Sequence, residues 1–197
     1  MNTIVIATKN EGKIREFREL LKGKAEVKSL LDIKMADIEE TGVTFEENAA
    51  LKAEAVMKTF GFPAAADDSG LEVDALQGGP GVYSARYAGP EKDDKANINK
   101  LLHELDGAPS EERTARFVCA IAVAVPDKET LVVRGTCEGR IAEAEKGTGG
   151  FGYDPVFFVP EKNKTMAELT PEEKNAISHR YEALKKLNYY WSDLFHG

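Results

Sequence analysis

The sequence is poor in cysteine and in long apolar runs, and it has no excess of positive charge. Its two cysteines, Cys119 and Cys137, form no CxxC pair and lie in valine-rich segments, so we expect reduced, buried thiols and no structural zinc. No apolar run approaches the ~20 residues of a membrane span, and no basic, apolar leader opens the chain. These absences predict a cytoplasmic protein with no membrane partner.

The charge balance limits the ligands that the protein can bind. The 26 basic and 34 acidic residues give a net charge of −8, which argues against a general nucleic-acid-binding face. A phosphate-bearing ligand must therefore be recruited locally, by a few lysines and a metal ion. The 197 residues suffice for one domain over residues 1–197, with enough length for two lobes, that buries a full core without cross-links.

The order of strand and helix patterns predicts an α/β protein with a mixed sheet. A strand over 3–7 precedes a loop and a helix, and a capping box formed by Thr44 and Glu47 opens a helix over 46–60. Apolar runs over 117–125 and 131–137 indicate a β-hairpin. Thr170, followed by proline and glutamate, indicates the start of one long C-terminal helix.

Two adjacent carboxylates, Asp67 and Asp68, follow an apolar run over 63–66 and precede Ser69 and Gly70. The pattern predicts a short buried strand that ends at a turn, which is where α/β proteins place ligands. One interpretation is a site for Mg²⁺, which prefers oxygen ligands. The other is a solvated turn, because Asp-Ser-Gly is also favourable turn chemistry.

Three further segments carry polar groups that suit a phosphate. Thr8, Asn10 and Lys13 cluster where a strand meets a helix N-terminus, which either binds an anion or is merely capped by these side chains. Glu40 lies ahead of the helix that bears Lys52. Alone, an acidic loop and a helical lysine are more typical of solvated surface than of a site.

The glycine-rich segment 147–152 formally spells GxGxxG, but a strand-like run follows it, so a dinucleotide-binding fold is not indicated. Phe151, among these glycines, is either a stacking platform for a flat base or a core plug. On the predicted C-terminal helix, Lys174 and Ser178, and likewise Asn175 and His179, are spaced to share one face. That face suits an oxygen-rich ligand or solvent.

In combination these segments resemble the Ham1-like inosine/xanthosine triphosphate pyrophosphatases, over nearly the whole chain. Seven blocks carry the resemblance, in order: Thr8-x-Asn10-x-x-Lys13, Glu40-Thr41-Gly42-x-Thr44-Phe45, Glu47-Asn48-Ala49 with Lys52, Ala66-Asp67-Asp68-Ser69-Gly70-Leu71, Pro80-Gly81-Val82-Tyr83-Ser84-Ala85-Arg86-Tyr87, Gly149-Gly150-Phe151-Gly152-Tyr153-Asp154-Pro155 and Lys174-x-x-x-Ser178-His179-Arg180. No block departs from the family pattern.

The resemblance implies a homodimer of two-lobed α/β subunits, each with a long, twisted mixed sheet flanked by helices and an active-site cleft between the lobes. It implies Mg²⁺-dependent hydrolysis of ITP, dITP and XTP to the monophosphate and pyrophosphate, which removes non-standard purines from the nucleotide pool. Asp68 would be the catalytic base, and Glu40 and Asp68 would hold the metal. The substrate-binding residues would be Thr8, Lys9, Asn10, Glu11, Gly12, Lys13, Lys52, Ser69, Phe151, Gly152, Tyr153, Asp154, Lys174, His179 and Arg180.

Two other functions stay open at this stage. A related house-cleaning hydrolase of different base specificity would carry the same phosphate groups, and a nucleotide-binding module would bind without releasing pyrophosphate. The sequence also leaves open whether Asp67 or Asp68 faces the metal, and how GTP, which shares the 6-oxo group, is excluded.

Overall fold

A computed structural model describes residues 2–36 and 38–196. Seven strands form one mixed sheet in the order β2-β1-β3-β4-β5-β6-β7. The strands are β1 Asn2–Ile6, β2 Ala25–Ser29, β3 Ala64–Val73, β4 Thr114–Ala124, β5 Leu131–Ile141, β6 Phe157–Val159 and β7 Lys164–Thr165. The predicted α/β class with a mixed sheet is confirmed, since β1 pairs in parallel with β2 and β3, while β6 pairs antiparallel with β5 and β7.

Five helices accompany the sheet in the described residues: α1 Glu11–Leu20, α2 Phe45–Phe60, α3 Asp94–Glu104, α4 Pro171–Ile177 and α5 His179–His196. The capping box predicted at Thr44 is present, and α2 ends at Gly61, whose φ of 71° lies in the left-handed region that glycine tolerates. None of the helices in residues 2–36 and 38–196 combines the length and apolar character needed to cross a bilayer.

Two compact units make up the chain. The first contains Met1–Asp68, Ala120–Arg134 and Ala183–Gly197, and the second contains Ser69–Cys119 and Gly135–Glu182. In the first unit, α1 contacts β2 and α2 contacts β1, around fully buried side chains such as Ile4, Phe17 and Val56. In the second, Leu71, Leu101, Phe157 and Met166 belong to one buried apolar cluster.

The two cysteines are buried, as the sequence predicts. Burial raises the pKa of the Cys137 thiol to about 11, so this thiol stays protonated at neutral pH.

The prediction that a strand stops at Asp67 is wrong. β3 continues through Asp67, Asp68 and Ser69 to Val73. Gly70 sits inside the strand, without the positive φ that a turn residue would show. A glycine next to two acids has turn chemistry locally, but the apolar residues that follow it, Leu71 and Val73, are completely buried and extend the strand.

The single long C-terminal helix is also a wrong prediction. α4 ends at Ile177, and Ser178 adopts an extended conformation with ψ of 147°. Its hydroxyl then accepts a hydrogen bond from the Tyr181 N–H at 3.1 Å, so that Ser178 caps α5. His179 and Arg180 therefore open a second helix and do not share a helix face with Lys174 and Asn175.

A glycine fixes the packing of β5 against β6. A Cβ added at Gly139 would lie 2.5 Å from the Phe158 carbonyl oxygen and 2.6 Å from the buried Phe157 ring. We predict that Gly139→Ala lowers the free energy of unfolding by about 1–3 kcal/mol, because the strand or the ring must shift. Urea denaturation measures this loss. Arg140→Ala, at the exposed neighbouring position, should change stability by less than about 0.5 kcal/mol, and equal stabilities for the two variants would contradict the close approach.

Candidate active site

The two carboxylates of β3 have different surroundings, because successive side chains of a strand point to opposite faces. Asp67 is buried, and its Oδ2 lies 2.9 Å from the Nζ of Lys13 on α1. Asp68 is half-buried, and its Oδ2 accepts a hydrogen bond at 3.1 Å from the side-chain amide of Asn48 on α2. The acidic pair is thus divided between two environments.

Asp68 belongs to a cluster of charges that α2 and the loop before it bring together. The Nζ of Lys52 lies 2.5 Å from Oε1 of Glu40 and 3.9 Å from Oδ1 of Asp68. Burial raises the pKa of Asp68 and the negative charge of Glu40 adds to this effect, against the opposing influences of Lys52, Asn48 and Lys13. A carboxylate with a raised pKa is a stronger proton acceptor than an ordinary aspartate.

Asn48 is a residue of this site that is absent from the predicted set. It is almost completely buried, and its Oδ1 accepts the Gly42 N–H at 2.8 Å while its amide nitrogen donates to Asp68. A Cβ at Gly42 would lie 2.7 Å from that Oδ1, so only glycine fits this approach. Asn48 therefore ties the Glu40–Gly42 segment to Asp68. The Glu47-Asn48-Ala49 block contained the signal, although a helical asparagine is not by itself informative.

The donor set of this cluster fits a hard divalent cation. Within the described part of the chain, no group of three or more His, Cys, Asp and Glu side chains is arranged to hold a metal ion. Mg²⁺ does not require such a group, because it commonly takes one or two carboxylates and fills its octahedron with water and substrate phosphates. Glu40 and Asp68 already converge on one cation, the Lys52 ammonium.

The loop after β1 and the first turn of α1 contain the predicted phosphate-binding residues Thr8, Lys9, Asn10, Glu11, Gly12 and Lys13. Asn10 caps α1 by accepting the Lys13 N–H at 3.1 Å, and the Thr8 hydroxyl accepts the Asn10 N–H at the same distance. The capping interpretation of this segment is therefore confirmed, and the anion-binding interpretation stays a prediction, which the positive N-terminal end of α1 and the adjacent Lys9 and Lys13 favour. Ser69 lies on β3, half-buried, directly after Asp68.

In the second unit, Phe151 stands on the glycine loop, which we define as residues 147–155. Its ring is 73% exposed, so the core-plug interpretation is wrong. The Nζ of Lys174 lies 4.6 Å from the ring centroid, in cation–π contact. An exposed aromatic face beside a fixed ammonium is suited to a flat, oxygen-bearing ring.

Asp154 and Tyr153 are buried behind that platform. The Asp154 carboxylate pairs with Lys174, and its Oδ2 accepts the Phe151 N–H at 3.0 Å. The Tyr153 hydroxyl donates to the Ser84 carbonyl at 2.6 Å, and burial raises the pKa of this phenol above its usual range. In this geometry Asp154 and Tyr153 hold the loop and Lys174 in place.

His179 is positioned by aromatic stacking at the start of α5. Its ring stacks on Phe117 with centroids 5.2 Å apart, and Phe117 in turn contacts Phe157 at 4.3 Å. Arg180 follows it, half-buried. Phe117 is thus a second residue absent from the predicted set, since its apolar strand context gives no sign of such a contact.

The chain is similar to known proteins both in sequence and in structure. The family model of the Ham1 family matches residues 4–190. A dITP/XTP pyrophosphatase of Geobacillus kaustophilus is 63% identical over 199 residues, covering 100% of this chain and 98% of that protein. The Staphylococcus aureus Ham1 protein superposes with a TM-score of 0.93 at 49% identity, covering 98% of this chain and 99% of that one. A HAM1 protein from Coxiella burnetii gives 0.93 at 45%, covering 98% and 100%.

The contact between Lys13 and Asp67 has a measurable consequence for stability. Because Asp67 is buried, removing the ammonium reduces the compensation of its charge, and we predict that Lys13→Met costs roughly 3 kcal/mol of unfolding free energy. Lys9→Met, at an exposed position nearby, should cost less than about 0.5 kcal/mol. Chemical denaturation compares the two variants. Equal stability would mean that Lys13 does not compensate Asp67 and is available to a ligand alone.

Proposed function

Since the chain belongs to the Ham1 family, we propose that it hydrolyses non-standard purine nucleoside triphosphates, dITP, ITP and XTP, to the nucleoside monophosphate and pyrophosphate. The observation that carries the proposal is the cluster around Asp68, in which two carboxylates converge on one cation beside a third polar partner, Asn48. Hydrolysis of a phosphoanhydride needs charge neutralisation and a positioned water more than it needs covalent chemistry.

Each candidate site residue of the first unit has a role in this reaction. Glu40 and Asp68 would hold Mg²⁺, which when bound would neutralise phosphate charge and orient the substrate. Lys52 and Lys13 supply further positive charge, and the N-terminus of α1 adds backbone N–H donors. Asp68 accepts a proton from the attacking water. Thr8 to Gly12, together with Ser69 at the start of the second unit, bind phosphate oxygens through hydroxyl, ammonium, amide and backbone N–H donors.

The second unit recognises the base. Phe151 stacks on the purine, and Lys174, His179 and Arg180 offer donors to the oxygen at C6 of hypoxanthine or xanthine. Adenine has an amino group at this position, so its binding would leave donors facing a donor. Unpaired groups of this kind discriminate by ~10⁴ or more when a site is built around the hydrogen bond. The platform is held in place by Gly152, Tyr153 and Asp154.

The rest of the proposal follows the family resemblance. We expect one functional domain over residues 1–197, a cytoplasmic location and a homodimer that binds nucleotides and not nucleic acids. The net charge of −8 supports the last point. Light scattering coupled to gel filtration tests the dimer.

The role of Asp68 is tested by Asp68→Asn, which keeps the size of the side chain but removes the proton acceptor and one metal ligand. We predict a loss of at least about 100-fold in kcat for XTP, with the far-ultraviolet circular dichroism of the wild type. Pyrophosphate release at saturating Mg²⁺ is the measurement. Asp74→Asn serves as control, because Asp74 lies outside the cluster in an exposed ion pair with Arg116. Near-wild-type turnover by Asp68→Asn would disprove the assigned role.

The role of Phe151 is tested by Phe151→Ala. Loss of one base–aromatic stack is worth roughly 1–3 kcal/mol, so we predict that KM for XTP and dITP rises about tenfold while the Mg²⁺ concentration for half-maximal activity is unchanged. Tyr189→Ala removes another strongly exposed aromatic ring, on α5, and should leave KM unchanged. An unchanged KM in Phe151→Ala would mean that the exposed ring does not contact the base.

A further inference from the structure

The glycine loop presents Phe151 without any regular secondary structure to hold it. The residues on both sides of Phe151, Gly150 and Gly152, have φ values of 74° and 58°, in the left-handed region that glycine occupies at little cost. A segment with two such residues has many alternative conformations in the free chain. The exposed position of the ring therefore depends on the hydrogen bonds that fix the backbone of Phe151 and Gly152.

One of these hydrogen bonds comes from α3, which contributes no residue to the proposed site. Oδ2 of Asp94, the first residue of α3, accepts the Gly152 N–H at 2.7 Å across 58 positions of sequence. On the other side of the ring, the buried carboxylate of Asp154 accepts the Phe151 N–H at 3.0 Å. The backbone N–H groups of Phe151 and Gly152 thus donate two charge-assisted hydrogen bonds to carboxylates, which are stronger than bonds to neutral acceptors.

The carboxylate of Asp94 is not needed to cap α3. The N-cap position of α3 is taken by Asp93, whose Oδ1 accepts the Ala96 N–H at 2.7 Å. Asp94 follows in the first turn, where an acid is compatible with the helix dipole, but its carboxylate accepts a hydrogen bond from the glycine loop, outside the helix. Asp93 therefore caps α3, whereas Asp94 binds the glycine loop.

We infer that Asp94 is a positioning residue for purine recognition: through the Gly152 N–H it fixes the backbone beside Phe151 and so sets the stacking platform. This inference rests on the proposed function, because it assigns a task to the same base site. It assigns Asp94 no contact with substrate. The Tyr153 hydroxyl, which donates to the Ser84 carbonyl, anchors the following residue of the loop in the same way.

The test compares Asp94→Ala with Asp93→Ala. For Asp94→Ala we expect KM for XTP to rise roughly fivefold, the scale of one ordinary hydrogen bond, because Asp94 is exposed and water screens its charge, with kcat within about twofold of the wild type. Asp94→Asn should recover part of the loss, since its amide oxygen can still accept the Gly152 N–H. Asp93→Ala weakens the cap of the same helix but not the loop contact, and should leave KM unchanged. A similar rise in KM for both variants would overturn the inference, because it would trace the effect to the helix.

A double-mutant cycle with Phe151→Ala shows whether Asp94 acts through the ring. Once the ring is absent, Asp94→Ala should raise KM no further, whereas an undiminished fivefold effect would overturn the inference. Amide hydrogen exchange over residues 149–154 gives a readout independent of turnover. We expect faster exchange in Asp94→Ala than in the wild type or Asp93→Ala, and equal rates would contradict the positioning role.

The same experiments separate this inference from the proposed function. If the wild type releases no pyrophosphate from any purine triphosphate, the proposed function fails, and hydrogen exchange alone then decides whether Asp94 fixes the loop. If the wild type hydrolyses XTP and Asp94→Ala has the wild-type KM, only the inference about Asp94 fails.

Discussion

The cluster around Asp68 depends on one constraint, the alternation of side chains along β3. Two carboxylates in adjacent positions would repel each other strongly if they shared one environment of low dielectric. An extended strand sends them to opposite faces. Asp67 is thereby compensated by Lys13, and Asp68 faces Asn48, Lys52 and Glu40. Had the chain turned at Asp67, as its local sequence indicates, both charges would be solvated, and the burial that raises the pKa of Asp68 would be absent.

The cluster around Asp68 and the glycine loop follow the same principle of construction, in which a buried polar group organises a partly exposed one. Asn48 is buried and holds Asp68, which can meet a ligand. Asp154 is buried and holds both Lys174 and the backbone of Phe151, while the Phe151 ring is largely exposed. Preorganised groups of this kind need little rearrangement when charge develops during a reaction.

The parts of the fold that several neighbouring residues mark independently could be predicted from the sequence. The bounds of α2 follow from a capping box at Thr44 and a glycine stop at Gly61, and both are present. The continuation of β3 and the break at Ser178 could not be predicted, because each depends on tertiary burial that overrides a local propensity. For the site, the residue types were predictable. The positioning residues were not, since Asn48, Phe117 and Asp94 resemble ordinary helix and strand residues until their long-range partners are known.

The central claim is that a metal-assisted carboxylate cluster and a 6-oxo-purine platform serve one reaction. It is tested most directly by incubating the protein with ITP, dITP, XTP, GTP, ATP and dUTP, with and without Mg²⁺, and assaying pyrophosphate and orthophosphate separately. We predict pyrophosphate from ITP, dITP and XTP, no comparable release from ATP or dUTP, and loss of activity without the metal. Comparable turnover of ATP, release of orthophosphate in place of pyrophosphate, or no turnover at all would contradict the claim.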